Sequence, residues 1–181
     1  MNLPNLLTLV RIALVPAFVS VLLMPPEKDS ALFYALILFS VAVLTDAFDG
    51  FFARLLKQET KLGLFLDPFA DKLLLTFGFL AILLSAQPVF KPPMWILITI
   101  IFREIVITFI FLVIFSMSRK LELKPNLLGK FTTVAQMVLM MFCILNNGSG
   151  LAAAFIAAGL TILSGIVYAL RELPRFSKEL L

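Results

Sequence analysis

Between residues 46 and 71 the chain reads Asp46-x2-Asp49-Gly50-x2-Ala53-Arg54-x8-Gly63-x3-Asp67-x3-Asp71, four carboxylates set among apolar residues. An aspartate at mid-bilayer costs about 2.5–3.5 kcal/mol on insertion scales. Four of them in a strongly apolar chain therefore ask for a compensating cation and a chemical purpose. Asp46 and Asp49 are spaced i,i+3, and Asp67 and Asp71 i,i+4, so each pair shares one face of a helix. A short turn between the two segments predicts antiparallel neighbours whose acidic pairs converge. Carboxylates that close destabilise one another's charge unless a cation lies between them. An all-oxygen donor set favours Mg²⁺ or Mn²⁺ over zinc or iron, and two such ions side by side suit displacement at phosphorus. Gly50 and Gly63 allow close backbone approach, Ala53 keeps the same face small, and Arg54 offers a planar fork for phosphate. Taken singly, each has a plainer reading, since acids at helix ends pair with Lys or Arg and glycines serve helix packing. The four aspartates together favour a site.

The elements that must carry these residues are membrane helices. The 181 residues are 61% hydrophobic and 14% charged, with a mean hydropathy of +1.07, where soluble domains are about a quarter charged. Apolar runs predict helices over 5–23, 31–56, 64–86, 92–118, 127–146 and 150–173, each long enough for about 30 Å of hydrocarbon. Breakers separate them: Pro25-Pro26, the charged turn from Lys57 to Lys61, Pro88, Pro92-Pro93, Pro125, and Asn146-Asn147-Gly148. The expectation is an all-α, polytopic protein of six transmembrane helices, one domain over residues 1–181, with a cytoplasm-facing polar cavity and an amphipathic stretch at its start. The opening Met1-Asn2-Leu3-Pro4-Asn5 lacks a basic n-region, and Arg11 interrupts the first apolar stretch, so it reads as retained chain and not as a signal peptide.

Positive charge alternates between connections. Arg54, Lys57 and Lys61 follow the second span, Arg119, Lys120 and Lys124 the fourth, and Arg171, Arg175 and Lys178 the sixth. Only Lys28 and Lys91 lie in the connections between. The positive-inside rule puts both termini and the aspartate-rich turn in the cytoplasm. The net charge of +4 is this topology signal with some attraction to anionic headgroups. Basic residues scattered at helix ends form no nucleic-acid tract. Histidine is absent, which excludes a Ser-His-Asp triad and a His-ligated zinc. Cys143, the one cysteine, stands in an apolar run and reads as a small buried thiol.

The aspartate string is a complete match to the signature of the CDP-alcohol phosphotransferase (CDP-alcohol phosphatidyltransferase) family. A chance match at its eight fixed positions is about 10⁻¹⁰ per starting point. The six-helix layout and the opening Asn2-x-Pro4-Asn5-x2-Thr8-x2-Arg11 are also similar to that family. The resemblance implies a transferase that moves a phosphatidyl group from CDP-diacylglycerol to an alcohol and releases CMP, with Mg²⁺ or Mn²⁺ as cofactor. Carried over, it makes Asp46, Asp49, Asp67 and Asp71 metal ligands, Asp71 in addition the general base. Gly50, Ala53, Arg54 and Gly63, with Asn5 and Thr8, would then hold the nucleotide end of the lipid. The implied setting is the bacterial cytoplasmic (inner) membrane, with membrane lipids around the chain and a homodimer as its assembly. The alanines and glycine of 152–159 offer a close-packing surface for one.

The acceptor is less legible. Asn2-Leu3-Pro4-Asn5, Leu66-Asp67-Pro68-Phe69-Ala70-Asp71-Lys72-Leu73 and Arg103-Glu104 look like the phosphatidylglycerophosphate synthase branch, whose acceptor is glycerol 3-phosphate. That dianion needs cations, and Arg103, Lys130 and Lys72 are the candidates. Plainer readings remain, Arg103 as a partner of Glu104 or Asp71 and Lys72 as a snorkelling lysine. The branch usually carries Gly-Lys-x-Lys-Thr where this chain has Gly129-Lys130-Phe131-Thr132-Thr133. Pro125-x4-Lys130-x2-Thr133-x2-Gln136 is instead similar to cardiolipin synthases of the family, whose acceptor is phosphatidylglycerol. An ion-coupled transporter would also keep buried acids, but facing one another across repeats, and no repeat is visible.

Overall fold

A computed structural model describes residues 3–26, 30–56, 61–118, 127–146 and 148–179; the side chains of 3–5, 7, 47–56, 61–68, 111, 114–118 and 172–179 lie outside that description. Among the described residues the chain is all-helical: α1 Leu3–Leu22, α2 Ala31–Leu56, α3 Lys61–Leu84, α4 Met94–Ser118, α5 Leu127–Ile144 and α6 Gly150–Glu179. The expected boundaries agree within a few residues, except that α6 continues past 173. The chain leaves α5 through Asn146, whose φ of 48° is the left-handed conformation that Asn tolerates at helix ends. Two described segments, Leu127–Ile144 and Gly150–Arg171, are long and apolar enough to cross a membrane.

Each helix buries a stripe at helical spacing. On α1 it is Thr8, Arg11, Val15, Phe18 and Leu22; on α4 it is Ile96, Ile100, Glu104 and Ile107. The opposite faces are apolar too. Phe102 and Phe109, beside Glu104 in sequence, are 67% and 65% exposed. Apolar residues on both faces are the mark of a bundle whose surroundings are not water.

α1 packs against both α2 and α3, α3 also meets α4 and α5, and α6 packs on α5 and α4. Among the described residues α1 packs on both acidic helices and bridges them. Phe18 of α1 stacks on Phe39 of α2 with ring centroids 5.7 Å apart. At Gly78 of α3 an added Cβ would sit 2.7 Å from the Met140 methyl of α5 and 3.0 Å from the Phe18 ring. Gly78→Leu is expected to overfill this junction and to cost about 1–3 kcal/mol, read as a lowered Tm in detergent. Small residues of α6, Ala154, Ala157 and Ala158, are buried inside the bundle, which leaves less of the 152–159 surface for a second copy.

The connection between α3 and α4 fastens one end of the bundle. Ser85 Oγ donates to the Leu22 carbonyl at 2.6 Å, and Gln87 Nε2 donates to the Met24 and Pro25 carbonyls, each at 2.9 Å. Lys91 Nζ reaches the Ser85 carbonyl at 2.7 Å. The Phe90 N–H donates to the Cys143 carbonyl at 2.9 Å, and its ring fills the space a side chain at Gly150 would need. Together these bonds answer orphan carbonyls at the ends of α1 and α5.

Candidate functional site

Arg11 lies on the buried stripe of α1, three residues after the buried Thr8, and is fully enclosed. One of its nitrogens, Nη1, is 2.7 Å from Asp46 Oδ1 of α2 and 2.8 Å from Asp71 Oδ1 of α3. One cation from a third helix thus gathers the first and last aspartates of the sequence string. Both carboxylates remain about a third exposed, so the cluster is reachable from outside. Among the described residues it sets one cation against two acids.

A second cluster adjoins it. Glu104 of α4 is buried, with Oε2 3.1 Å from Lys72 Nζ and Oε1 hydrogen-bonded to Arg103 Nη1. Here one anion faces two cations. Asp71 and Lys72 are consecutive on α3, and consecutive side chains of a helix diverge by about 100°. Asp71 therefore serves the α1–α2 side while Lys72 serves α4, and one turn of helix joins a net-negative pocket to a net-positive one.

The remaining expected site residues are placed unevenly. Asp49, Gly50, Ala53 and Arg54 ride on α2, and Gly63 and Asp67 on α3, but their side chains, and that of Asn5, lie outside the described ones. Lys130 is exposed on the first turn of α5, next to Gly129, where an added Cβ would be 3.8 Å from Arg103 Nη2. Further along α5, Gln136 Nε2 donates to Thr161 Oγ1 of α6 at 3.1 Å and Thr133 Oγ1 to the Gly129 carbonyl at 3.1 Å. Both residues thus have a part in helix structure and packing. Arg11 and Glu104 are the residues that sequence reasoning left without a role. Arg11 had a signal, since it keeps step with Thr8, Val15, Phe18 and Leu22 on one helical stripe.

Among the described residues no group of three or more Asp, Glu or Cys side chains is gathered. The donor chemistry nonetheless fits a hard divalent ion, because carboxylate oxygens of two helices converge on a single positive atom. A groove of about 550 Å³ runs beside Lys72 between α3 and α4, past Phe69, Leu73, Thr76, Ile101 and Ile105. It is apolar, and the acids do not line it.

The family model described as CDP-alcohol phosphatidyltransferase matches residues 1–167. The chain belongs to the CDP-alcohol phosphatidyltransferase family. It is 35% identical over 175 residues, 92% of each chain, to the CDP-diacylglycerol--glycerol-3-phosphate 3-phosphatidyltransferase of Escherichia coli (strain K12). The proteins of the same name from Shigella sonnei (strain Ss046) and Shigella flexneri serotype 5b (strain 8401) match over the same extent at the same identity. As a CDP-alcohol phosphatidyltransferase the chain is an enzyme, a transferase of phospholipid synthesis. Divalent-metal dependence is general in CDP-alcohol phosphatidyltransferases, in keeping with the oxygen donors that meet at Arg11.

Proposed function

We propose that this enzyme transfers the phosphatidyl group of CDP-diacylglycerol to glycerol 3-phosphate, forming phosphatidylglycerophosphate and releasing CMP. One observation carries the choice of acceptor: Asp71, in a net-negative cluster, is followed directly by Lys72, in a net-positive one. An acceptor bearing a hydroxyl at one end and a phosphate dianion at the other matches that pair of environments. Phosphatidylglycerol carries a singly charged phosphodiester in place of the dianion and matches the second less well.

Asp46, Asp49, Asp67 and Asp71 would hold two divalent ions, Mg²⁺ or Mn²⁺, which when bound neutralise charge on the pyrophosphate and ease departure of CMP. Gly50, Ala53, Gly63 and Arg54, with Asn5 and Thr8 from α1, bind the nucleotide end. Asp71 takes the proton of the acceptor hydroxyl as its oxygen attacks the phosphatidyl phosphorus. The bond from that phosphorus to the oxygen bridging to CMP breaks, and CMP leaves with that oxygen. Arg11 fixes Asp71 relative to Asp46 throughout. Lys72, Arg103 and Lys130 hold the acceptor phosphate.

The same reading places the chain as one catalytic domain with six spans in the bacterial inner membrane. Its helices of 18 to 30 residues reach about 27 Å or more, enough for the hydrocarbon layer. The alternating basic connections put both termini, and a polar cavity at the aspartates, on the cytoplasmic side. Surrounding lipids and a second copy of the chain complete the assembly.

The test is CMP release by purified protein with CDP-diacylglycerol and Mg²⁺ or Mn²⁺, offered glycerol 3-phosphate or phosphatidylglycerol in parallel. Release is expected with glycerol 3-phosphate alone. Release with phosphatidylglycerol alone would make the enzyme a cardiolipin synthase and overturn the acceptor assignment.

A further inference from the structure

Glu104 is an acid with no place in the aspartate signature, buried on the inward stripe of a helix whose outer face is strongly apolar. A carboxylate kept there only for charge balance would close a neutral pair with its hydrogen bonds satisfied. The arrangement differs on both counts. Glu104 meets two cations, and Arg103 Nε is buried without a hydrogen-bond partner. Arg103 gives Nη1 to Glu104, so its other edge, Nε with Nη2, is turned elsewhere. Nη2 lies against Gly129 in the first turn of α5, and Cγ against Gly165 of α6, near enough that a Cβ at either would touch the arginine at 3.8 Å and 3.9 Å. An Nε–Nη2 edge is the fork that binds phosphate with two parallel hydrogen bonds.

Resting on the reading of glycerol 3-phosphate as acceptor, we propose that Glu104 is a positioning residue for the acceptor's phosphate. One carboxylate oxygen holds Lys72 and the other holds the far nitrogen of Arg103, so the fork of Arg103 is presented toward the start of α5 beside Lys72. Without Glu104, Lys72 extends toward the bilayer surface and Arg103 turns toward the next available acceptor. The phosphate seat is then lost while the aspartate cluster around Arg11 is untouched.

The experiment measures KM for glycerol 3-phosphate and for CDP-diacylglycerol separately, with kcat, in Glu104→Gln and Glu104→Asp. Glu104→Gln is expected to raise KM for glycerol 3-phosphate tenfold to a hundredfold, on the order of one lost charge-assisted hydrogen bond, with KM for the CDP-lipid within about twofold. Glu104→Asp, which keeps the charge on a shorter arm, is expected to fall between and to carry the test should the amide variant not accumulate. In a Lys72→Met background the further effect of Glu104→Gln is expected to shrink, because the two residues act on one seat. A lowered kcat with both KM values unchanged is what a purely structural carboxylate gives and would overturn the assignment. Equal rises in both KM values would overturn it as well. Wild-type protein that turns over phosphatidylglycerol but not glycerol 3-phosphate overturns the acceptor reading and this assignment with it, an outcome visible before any variant is made.

Discussion

Asp71→Asn is expected to abolish turnover while keeping part of the affinity for CDP-diacylglycerol. The amide cannot take a proton from the acceptor hydroxyl, and loss of a general base alone costs about 10²–10⁴ in rate. It also removes one of the charges that meet Arg11, so a further loss is expected from misplacement of the neighbouring cluster. Three aspartates remain to hold metal, which is why binding of the CDP-lipid persists. Single-turnover CMP release beside an equilibrium binding measurement separates the two effects. Full activity in this variant would remove Asp71 from the role of base.

Arg11→Met is expected to be as damaging, by another route. The residue is fully buried and holds two carboxylates within 2.8 Å of one atom. Its removal leaves Asp46 and Asp71 facing each other without their cation. Stripping one partner from a buried ion pair costs about 3–5 kcal/mol; a value near 3 is expected here because both carboxylates are part-exposed. Arg11→Lys keeps a charge that can approach both acids, though on a shorter and unforked arm, and is expected to recover much of the stability and only part of the activity. Thermal unfolding in detergent and CMP release, measured side by side, check both statements. A Met variant with unchanged Tm and turnover would mean that the three-helix contact contributes nothing.

The helices were legible because two signals agree, apolar runs of span length and proline or Asn-Gly breakers at their ends. Helical spacing paired Asp46 with Asp49 and Asp67 with Asp71, and the short turn predicted that the two pairs converge. The cation at the meeting of Asp46 and Asp71 was not predicted, because nothing in the order of spans says that the first helix packs on both the second and the third. Arg11 was nonetheless findable, since it keeps step with Thr8, Val15, Phe18 and Leu22 and so had to point inward. The link from Lys72 to Glu104 joins residues 32 apart in sequence and exists only once α4 packs on α3. Arg103 was expected as a cation for phosphate. Which of its nitrogens faces which oxygen of Glu104 is a tertiary fact with no periodicity to announce it.

The knot of Ser85, Gln87 and Lys91 has a consequence for the membrane as a whole. It ties the ends of α1 and α3, and with Phe90 that of α5, on the side away from the acids; Arg11 stands eleven residues from the end of α1, roughly 16 Å along its axis. On the proposed function, an end tied there leaves the side of the acids as the door by which water-soluble reactants and CMP arrive and depart, and each new lipid stays in the leaflet that supplied its precursor. Such an enzyme would enlarge one half of the bilayer, and growth of the other half would depend on separate machinery that moves lipids across.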